Sequence, residues 1–289
     1  MTFDLSLPRD TPIIVEDGGT PGAQRWIASM HRFGTNVAGL VKRPAPDADA
    51  HPYPVFTNFF DAVSATKAEI CVTTAPPRTA ADAVLEAAEA GVRLIVSLSL
   101  GMPVNDSMRV VRRVRDLGID WLGAGSNGLA IPSEGVKLGA IPNSCLAQGD
   151  VAVISASGGL AAEAGFQFKK AGLGQSLVID VGEDPVKGLR MSDFAEAINS
   201  NAATRAIVLL GTTVGTEEEE FADALMGLPD RKPVFAYIAG HRLPPRDMTA
   251  QSGLPAPPPV QEKAYALAAA GVNVYNSIGA LVAAVRATS

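Results

Sequence analysis

The chain has 289 residues, 47% hydrophobic and 19% charged, with a formal net charge of -6. That length supports a large core and favours two domains over one, and the apolar content excludes a largely disordered chain. The acidic balance disfavours nucleic acid or an anionic membrane as partner. The first residues show no basic region followed by an apolar core, so no signal peptide is expected, and no apolar run approaches a membrane span. Cys71 and Cys145 stand far apart in no metal-ligand spacing, which fits a reduced, cytoplasmic setting. His31, His51 and His241 form no cluster suited to a structural zinc.

In chain order, short apolar runs alternate with amphipathic stretches. Strands are expected at 13–15, 36–41, 69–73, 93–98 and 119–122, with helices at 25–33, 80–90 and 106–117. Glycines stop these helices, and the alternation predicts a buried parallel sheet with helices on both faces. Residues 123–149 are rich in Gly, Ser, Asn and Pro without a helical period, and read as a crossover between domains. A second alternation follows, with strands at 151–155, 176–181, 206–210, 233–238 and 272–274. Its helices fall at 160–171, 191–200, 217–226, 261–270 and 278–286. The resulting division is 1–125, an interdomain segment 126–149, and 150–289.

Several loops carry the residues suited to anionic ligands. Gly18, Gly19 and Gly22, with Thr20 between them, lie between the first strand and first helix. Small residues there let the backbone approach a pyrophosphate at a helix N-terminus, or simply make a tight turn. The spacing is not that of a dinucleotide fingerprint, and Glu16 and Asp17 beside the turn would repel a phosphate unless turned away. Lys42 and Arg43 end the second strand, on the sheet edge where open α/β sheets bind ligands, or form a solvated basic strand end. Pro76, Pro77 and Arg78 follow the next strand, and Gly101 follows the one after, on that same edge.

In the second half, Ser155, Ser157, Gly158 and Gly159 close a strand and open a helix. Two hydroxyls and free N–H groups make a phosphate or carboxylate cradle, with a plain serine N-cap as the structural alternative. Ser157 is no hydrolase nucleophile, because the segment lacks G-x-S-x-G. Thr216 with Glu219 fits a capping box, which accounts for the acidic run at 217–220 without catalysis. The prolines from 255 to 259 predict a stiff extended loop, and Cys71 reads as core.

The order of these segments resembles the alpha subunit of succinyl-CoA synthetase and its nucleoside-diphosphate-forming acyl-CoA synthetase relatives. Gly19 and Gly22, Phe33-Gly34-Thr35, Pro54-Val55-Phe56, Ala90-Gly91 and Gly101-Met102-Pro103 carry the likeness in the first half. Gly123, Gly128, Pro132, Ser155-x-Ser157-Gly158, Asp184-Pro185, Tyr237-Ile238-Ala239-Gly240 and Gly271-Val272 carry it onward. The resemblance implies a Rossmann-like CoA-binding domain followed by a flavodoxin-like ligase domain. It also implies a hetero-oligomer in which a beta-type ATP-grasp subunit brings ATP or GTP with Mg to a small carboxylic acid.

Several departures stand against that likeness, among them Gly125-Ser126 where the family has Asn-Cys, and the prolines after Leu254 in place of its mobile glycine-rich loop. By register Gln251 occupies the place of the family's phosphorylated histidine, and a glutamine amide cannot serve as that nucleophile. The glutamate that orients the histidine falls at Thr212, and the lysine near the CoA phosphates falls at Ala45. His241 lies about ten residues before the histidine position and reads as a polar loop residue. The expectation is an alpha-type subunit of a divergent carboxylate–CoA ligase that binds CoA and an acyl phosphate or carboxylate without a phosphohistidine. The alternatives are a CoA-dependent acyl transferase or lyase subunit, and a non-catalytic CoA-binding regulatory subunit.

Overall fold

The structure, a computed structural model, describes residues 3, 5–43, 52–240 and 260–288. The chain forms two compact units, one of residues 6–143 with 181–189, the other of 1–5, 144–180 and 190–289. The stretch expected between domains is thus shared, with the division at Asn143 and Ser144.

The first unit begins with β1 (Ile13–Glu16), α1 (Pro21–Phe33), β2 (Val37–Val41) and β3 (Val55–Phe56). It continues with α2 (Phe59–Thr66), β4 (Ile70–Thr73), α3 (Ala80–Glu89), β5 (Leu94–Ser97), α4 (Val104–Leu117) and β6 (Asp120–Leu122). The strands pair in the order β3-β2-β1-β4-β5-β6, all parallel. Their apolar runs follow from this arrangement, because central parallel strands are covered on both faces. Ile14, Cys71, Ile95 and Trp121 join Phe59, Val84, Ala87, Val110 and Val114 of α2–α4 in one buried cluster. Helices α1 and α4 stop at Gly34 and Gly118 in the left-handed conformation, as their sequences predict.

Residues 123–143 are more ordered than a crossover. They form an antiparallel hairpin, β7 (Gly128–Ile131) and β8 (Val136–Gly139), whose strands are buried throughout. Gly128 has φ 98°, and a Cβ there would lie 1.6 Å from the Leu138 carbonyl oxygen, so no other residue fits without displacing the hairpin.

The second unit starts with β9 (Gln148–Ser155), α5 (Gly158–Lys170) and β10 (Gln175–Asp180). A 3-10 turn (Met191–Phe194), α6 (Ala195–Ser200), β11 (Ala206–Gly211), α7 (Glu217–Met226) and β12 (Val234–Ile238) follow. The last elements are α8 (Val260–Ala269), β13 (Asn273–Tyr275) and α9 (Ile278–Ala287). Within this unit the strands run β13-β12-β11-β9-β10, all parallel. Helix α5 packs with α9, and α7 packs with α6 and α8. In each unit the chain reverses direction beside its first strand, between β1 and β4 and between β9 and β11. Such switch points open a crevice at the carboxyl ends of the strands, where ligands of open α/β sheets bind.

Candidate functional site

The β1–β4 crevice of the first unit is held together by Thr74, just past β4. Its hydroxyl donates to the Glu16 carbonyl at 2.7 Å and accepts from Gly18 N at 2.9 Å. A Cβ on Gly18 would lie 2.3 Å from the Thr74 carbonyl oxygen, so a glycine is needed for this close approach. Beyond it, Gly19 and Thr20 are exposed, and Gly22 lies in the first turn of α1.

Part of this turn's donor capacity serves the protein itself. Asp17 Oδ1 accepts from Gly19 N at 2.9 Å, and the Thr20 hydroxyl caps α1 by accepting from Ala23 N at 3.1 Å. Both expected cations are also paired: Lys42 with Asp17 at 2.9 Å, Arg43 with Glu86 and with the Thr57 carbonyl. The acidic neighbours do not turn away from the glycines: Asp17 caps the Gly19 N–H and is neutralised by Lys42, and Glu16 lines a cavity beside Gly18. These pairings join positions far apart in sequence, which no local pattern signals.

Pro76, Pro77 and Arg78 are exposed in the turn leading to α3, where Thr79 N donates back to the Pro76 carbonyl. Gly101 is held by Asp184, whose two carboxylate oxygens accept from Gly101 N at 3.2 and 3.1 Å. Burial raises the Asp184 pKa, against the lowering effects of the Gly101 and Met102 N–H groups and of Lys187. Beside the crevice is a cavity of about 400 Å³ between the ends of β1, β2 and β4 and the start of α3. Glu16 lines it, its carboxyl raised to about 7 chiefly by burial, with Arg43 the largest opposing influence.

In the second unit, the β9–β11 crevice contains the predicted serine–glycine cradle. Ser155 is buried, and its hydroxyl donates to the Ser157 carbonyl at 2.8 Å and accepts from Ser157 N at 3.0 Å. It shapes the turn from beneath and offers no outward contact. Ser157 stands at the N-cap of α5 without a side-chain cap bond, so the plain serine N-cap does not form. Ser157, Gly158 and Gly159 are partly or fully exposed at the helix start.

Across the crevice, Thr212 follows β11, and its N–H donates to Glu218 Oε1 at 2.7 Å. Glu218 is fully buried and paired with Lys263, also fully buried, at the start of α8. Lys263 Nζ further donates to the Gly215 carbonyl at 2.8 Å, pinning the loop 212–216. Burial raises the Glu218 pKa, and Lys263 opposes the rise. The acidic run at 217–220 is therefore more than a solvated first turn. Glu217 accepts from Met191 N at 2.9 Å and meets Arg190 at 3.1 Å. The predicted capping box does not form: Thr216 makes no cap bond and its hydroxyl donates to Glu220 instead, at 2.7 Å. Lys263, a lone cation on a helix face with Leu267 one turn later, was the signal for this pair.

Gln251, His241, Ala45 and the prolines 255–259 lie outside the described residues. Cys71 is core, its thiol pushed well up by burial. Among the described residues no group of His, Cys, Asp and Glu is placed to hold a metal ion, and no helix is long and apolar enough to cross a membrane.

Two parallel sheets, each with a helix start at its switch point, define a two-unit α/β protein. Residues 15–101 match the CoA binding domain family, and residues 148–288 match the succinyl-CoA ligase like flavodoxin domain. The chain is 33% identical over 255 residues to the alpha subunit 1 of the ADP-forming succinate–CoA ligase of Archaeoglobus fulgidus, covering 88% of this chain and 86% of that protein. It is 35% identical over 250 residues to the malate–CoA ligase alpha subunit of Methylorubrum extorquens, covering 84% and 82% respectively. The chain therefore belongs to the family of CoA ligase alpha subunits. The fold also resembles that of the ATP citrate lyase of Methanosaeta concilii, with a TM-score of 0.83 and 21% identity. That match covers 98% of this chain and 51% of the lyase, so the present chain spans about half of it.

Proposed function

We propose that this chain is the alpha-type subunit of a carboxylate–CoA ligase in which thioester formation proceeds without a phosphohistidine. The observation that carries the reading is the start of α5, where Ser157 is left without a cap bond and Gly158 and Gly159 follow it at the switch point. N–H groups and a hydroxyl at a helix N-terminus stabilise charge on phosphoryl oxygens in place, with no reorganisation as charge develops. Gly18 fits a CoA role, because it brings β1 close to β4 and leaves Gly19, Thr20 and Gly22 at the start of α1. Lys42 and Arg43 balance the acids around that turn and keep it receptive to an anion. Pro76, Pro77, Arg78 and Gly101 lie on the loops of the same sheet edge.

CoA supplies the thiol that becomes the thioester. A beta-type ATP-grasp partner brings ATP or GTP with Mg, and a small carboxylic acid arrives as such or as its acyl phosphate. Gln251, at the register of the family's histidine, has no imidazole nitrogen to carry a phosphoryl group. Positioning and phosphate stabilisation are then the contributions left to this chain.

The test is reconstitution with a beta-type partner, CoA, Mg and nucleotide labelled in its terminal phosphate, with succinate or malate as acid. Thioester should form only when partner and nucleotide are both present, with no label left on this chain. Failure to form thioester with any partner would sink the reading. Label retained on the chain would overturn its phosphohistidine-free part, and CoA cleavage or exchange without nucleotide would favour the transferase or lyase alternative.

A further inference from the structure

We propose that Glu16 is a specificity residue of the CoA site, its carboxyl accepting a hydrogen bond from the exocyclic amine of the ligand's adenine base in the cavity beside the glycine turn. The inference deepens the CoA reading above and rests on it.

Glu16 is the last residue of β1, and its side chain lines the cavity of about 400 Å³ between the ends of β1, β2 and β4 and the first turn of α3. The carboxyl is held by the Ala75 and Thr74 N–H groups, but its Oε2 is buried and has no hydrogen-bond partner among the described residues, although a carboxylate oxygen carries two acceptor sites. Leaving such an atom unpaired is costly, and a donor supplied by a ligand removes the cost. Asp17 Oδ2 also lines the cavity but faces the Lys42 ammonium, so Glu16 Oε2 is the atom that calls for a donor among the described lining residues.

The charges around it exclude a phosphate. Asp17 follows Glu16 just past the end of β1, and α3 contributes Asp82 and Glu86. The cations at the end of β2 are already committed, Lys42 to Asp17 and Arg43 to Glu86. Asp82 is itself paired with Arg109 at 2.9 Å. An anionic group placed here would meet Glu16 without a free cation among the lining residues.

Apart from Gly18, Arg43 and Thr79, whose hydroxyl donates to the Pro76 carbonyl, the remaining lining is apolar. Val41 contributes from β2, Ala75 and Pro76 from the loop after β4, and Ala83 from α3. A flat heterocycle between such walls buries its faces and directs an edge inward. Among the parts of CoA, the adenine alone combines flat apolar faces with an amine on its edge. The pyrophosphate is then left to the start of α1, outside the cavity, where Gly19 and Thr20 are exposed.

The test compares CoA with its deaminated analogue, which carries a 6-oxo group in place of the amine. Both are titrated at pH 8 into the full chain and its Glu16→Gln and Glu16→Ala variants. An amide presents a donor as well as an acceptor, so glutamine tolerates either base. Wild type should bind CoA about tenfold or more tightly than the 6-oxo analogue, the scale of one charged hydrogen bond. Both variants should lose most of that preference, whatever their overall affinity, because a merely structural role for Glu16 would weaken the two ligands equally. Saturable CoA binding with the same preference in all three proteins would overturn the assignment while leaving the CoA reading intact. Absence of saturable CoA binding, with and without the beta-type partner, would overturn both.

Discussion

Glutamate 16 also makes a prediction about the protein without ligand. Burial lifts its carboxyl from 4.5 to about 7, with Arg43 and the Ala75 and Thr74 N–H groups opposing and Glu86 reinforcing the rise. Among the described residues, Lys42, Asp17, Asp82 and the Cys71 thiol are the other titratable groups of this region. Because the folded pKa is raised, the folded state holds a proton that the unfolded chain has already released between about pH 4.5 and 7. Stability contributed by this group therefore falls as pH rises through that window, and the loss is complete above it. A rise from 4.5 to about 7 corresponds to roughly 3 kcal/mol, most of which is lost between pH 5 and pH 8. Glu16→Gln removes the titration and leaves every other group in place. Urea unfolding of both proteins at pH 5 and pH 8 isolates the effect, since common titrations cancel in the difference. The variant should gain roughly 2–3 kcal/mol on wild type from the lower to the higher pH. A difference independent of pH would refute the burial of the carboxyl.

Other predictions follow from the two crevices. Lys263→Met should cost about 3–5 kcal/mol in urea unfolding by stranding Glu218, and Lys263→Met with Glu218→Leu should recover most of it, as replacing a buried pair whole is often neutral. Gly128→Ala should cost more than about 3 kcal/mol or abolish folding in a thermal melt, because the added carbon meets the Leu138 carbonyl at 1.6 Å. Ser157→Asp should abolish thioester formation in the presence of the beta-type partner while leaving CoA affinity in calorimetry within about twofold, since it sets a carboxylate at the start of α5 and not in the first unit.

Much of the framework was legible because a covered parallel strand has a simple signature. Ile70–Thr73 and Ala206–Gly211 are apolar runs buried along their whole length, and Glu217–Met226 has its predicted bounds. The hairpin Gly128–Gly139 escaped notice because its strands begin and end in glycine, the residue that also marks loops. The short β3 and helix α2 follow a polar, proline-containing stretch that masks their onset. The return of residues 181–189 to the first unit is a long-range event, secured by Gly188 and Leu189 donating to the Gly123 and Trp121 carbonyls. At the sites, loop positions could be read from strand ends and glycines. The use of each side chain could not: Ser155 looks equivalent to Ser157 in sequence, yet it is buried beneath the turn. Lys42 and Arg43 look available for phosphate until their carboxylate partners are brought up by the fold.

The β1–β4 crevice is proposed as the CoA site, and every role assigned to the first unit depends on it. A calorimetric titration of the full chain, alone and with a beta-type partner, with CoA and in parallel with NAD and NADH, tests that claim. Saturable CoA binding near one equivalent, with no heat from either nicotinamide, is the predicted result. Nicotinamide binding, or no CoA binding in either preparation, would contradict the account and leave a family fold whose first unit has changed its ligand.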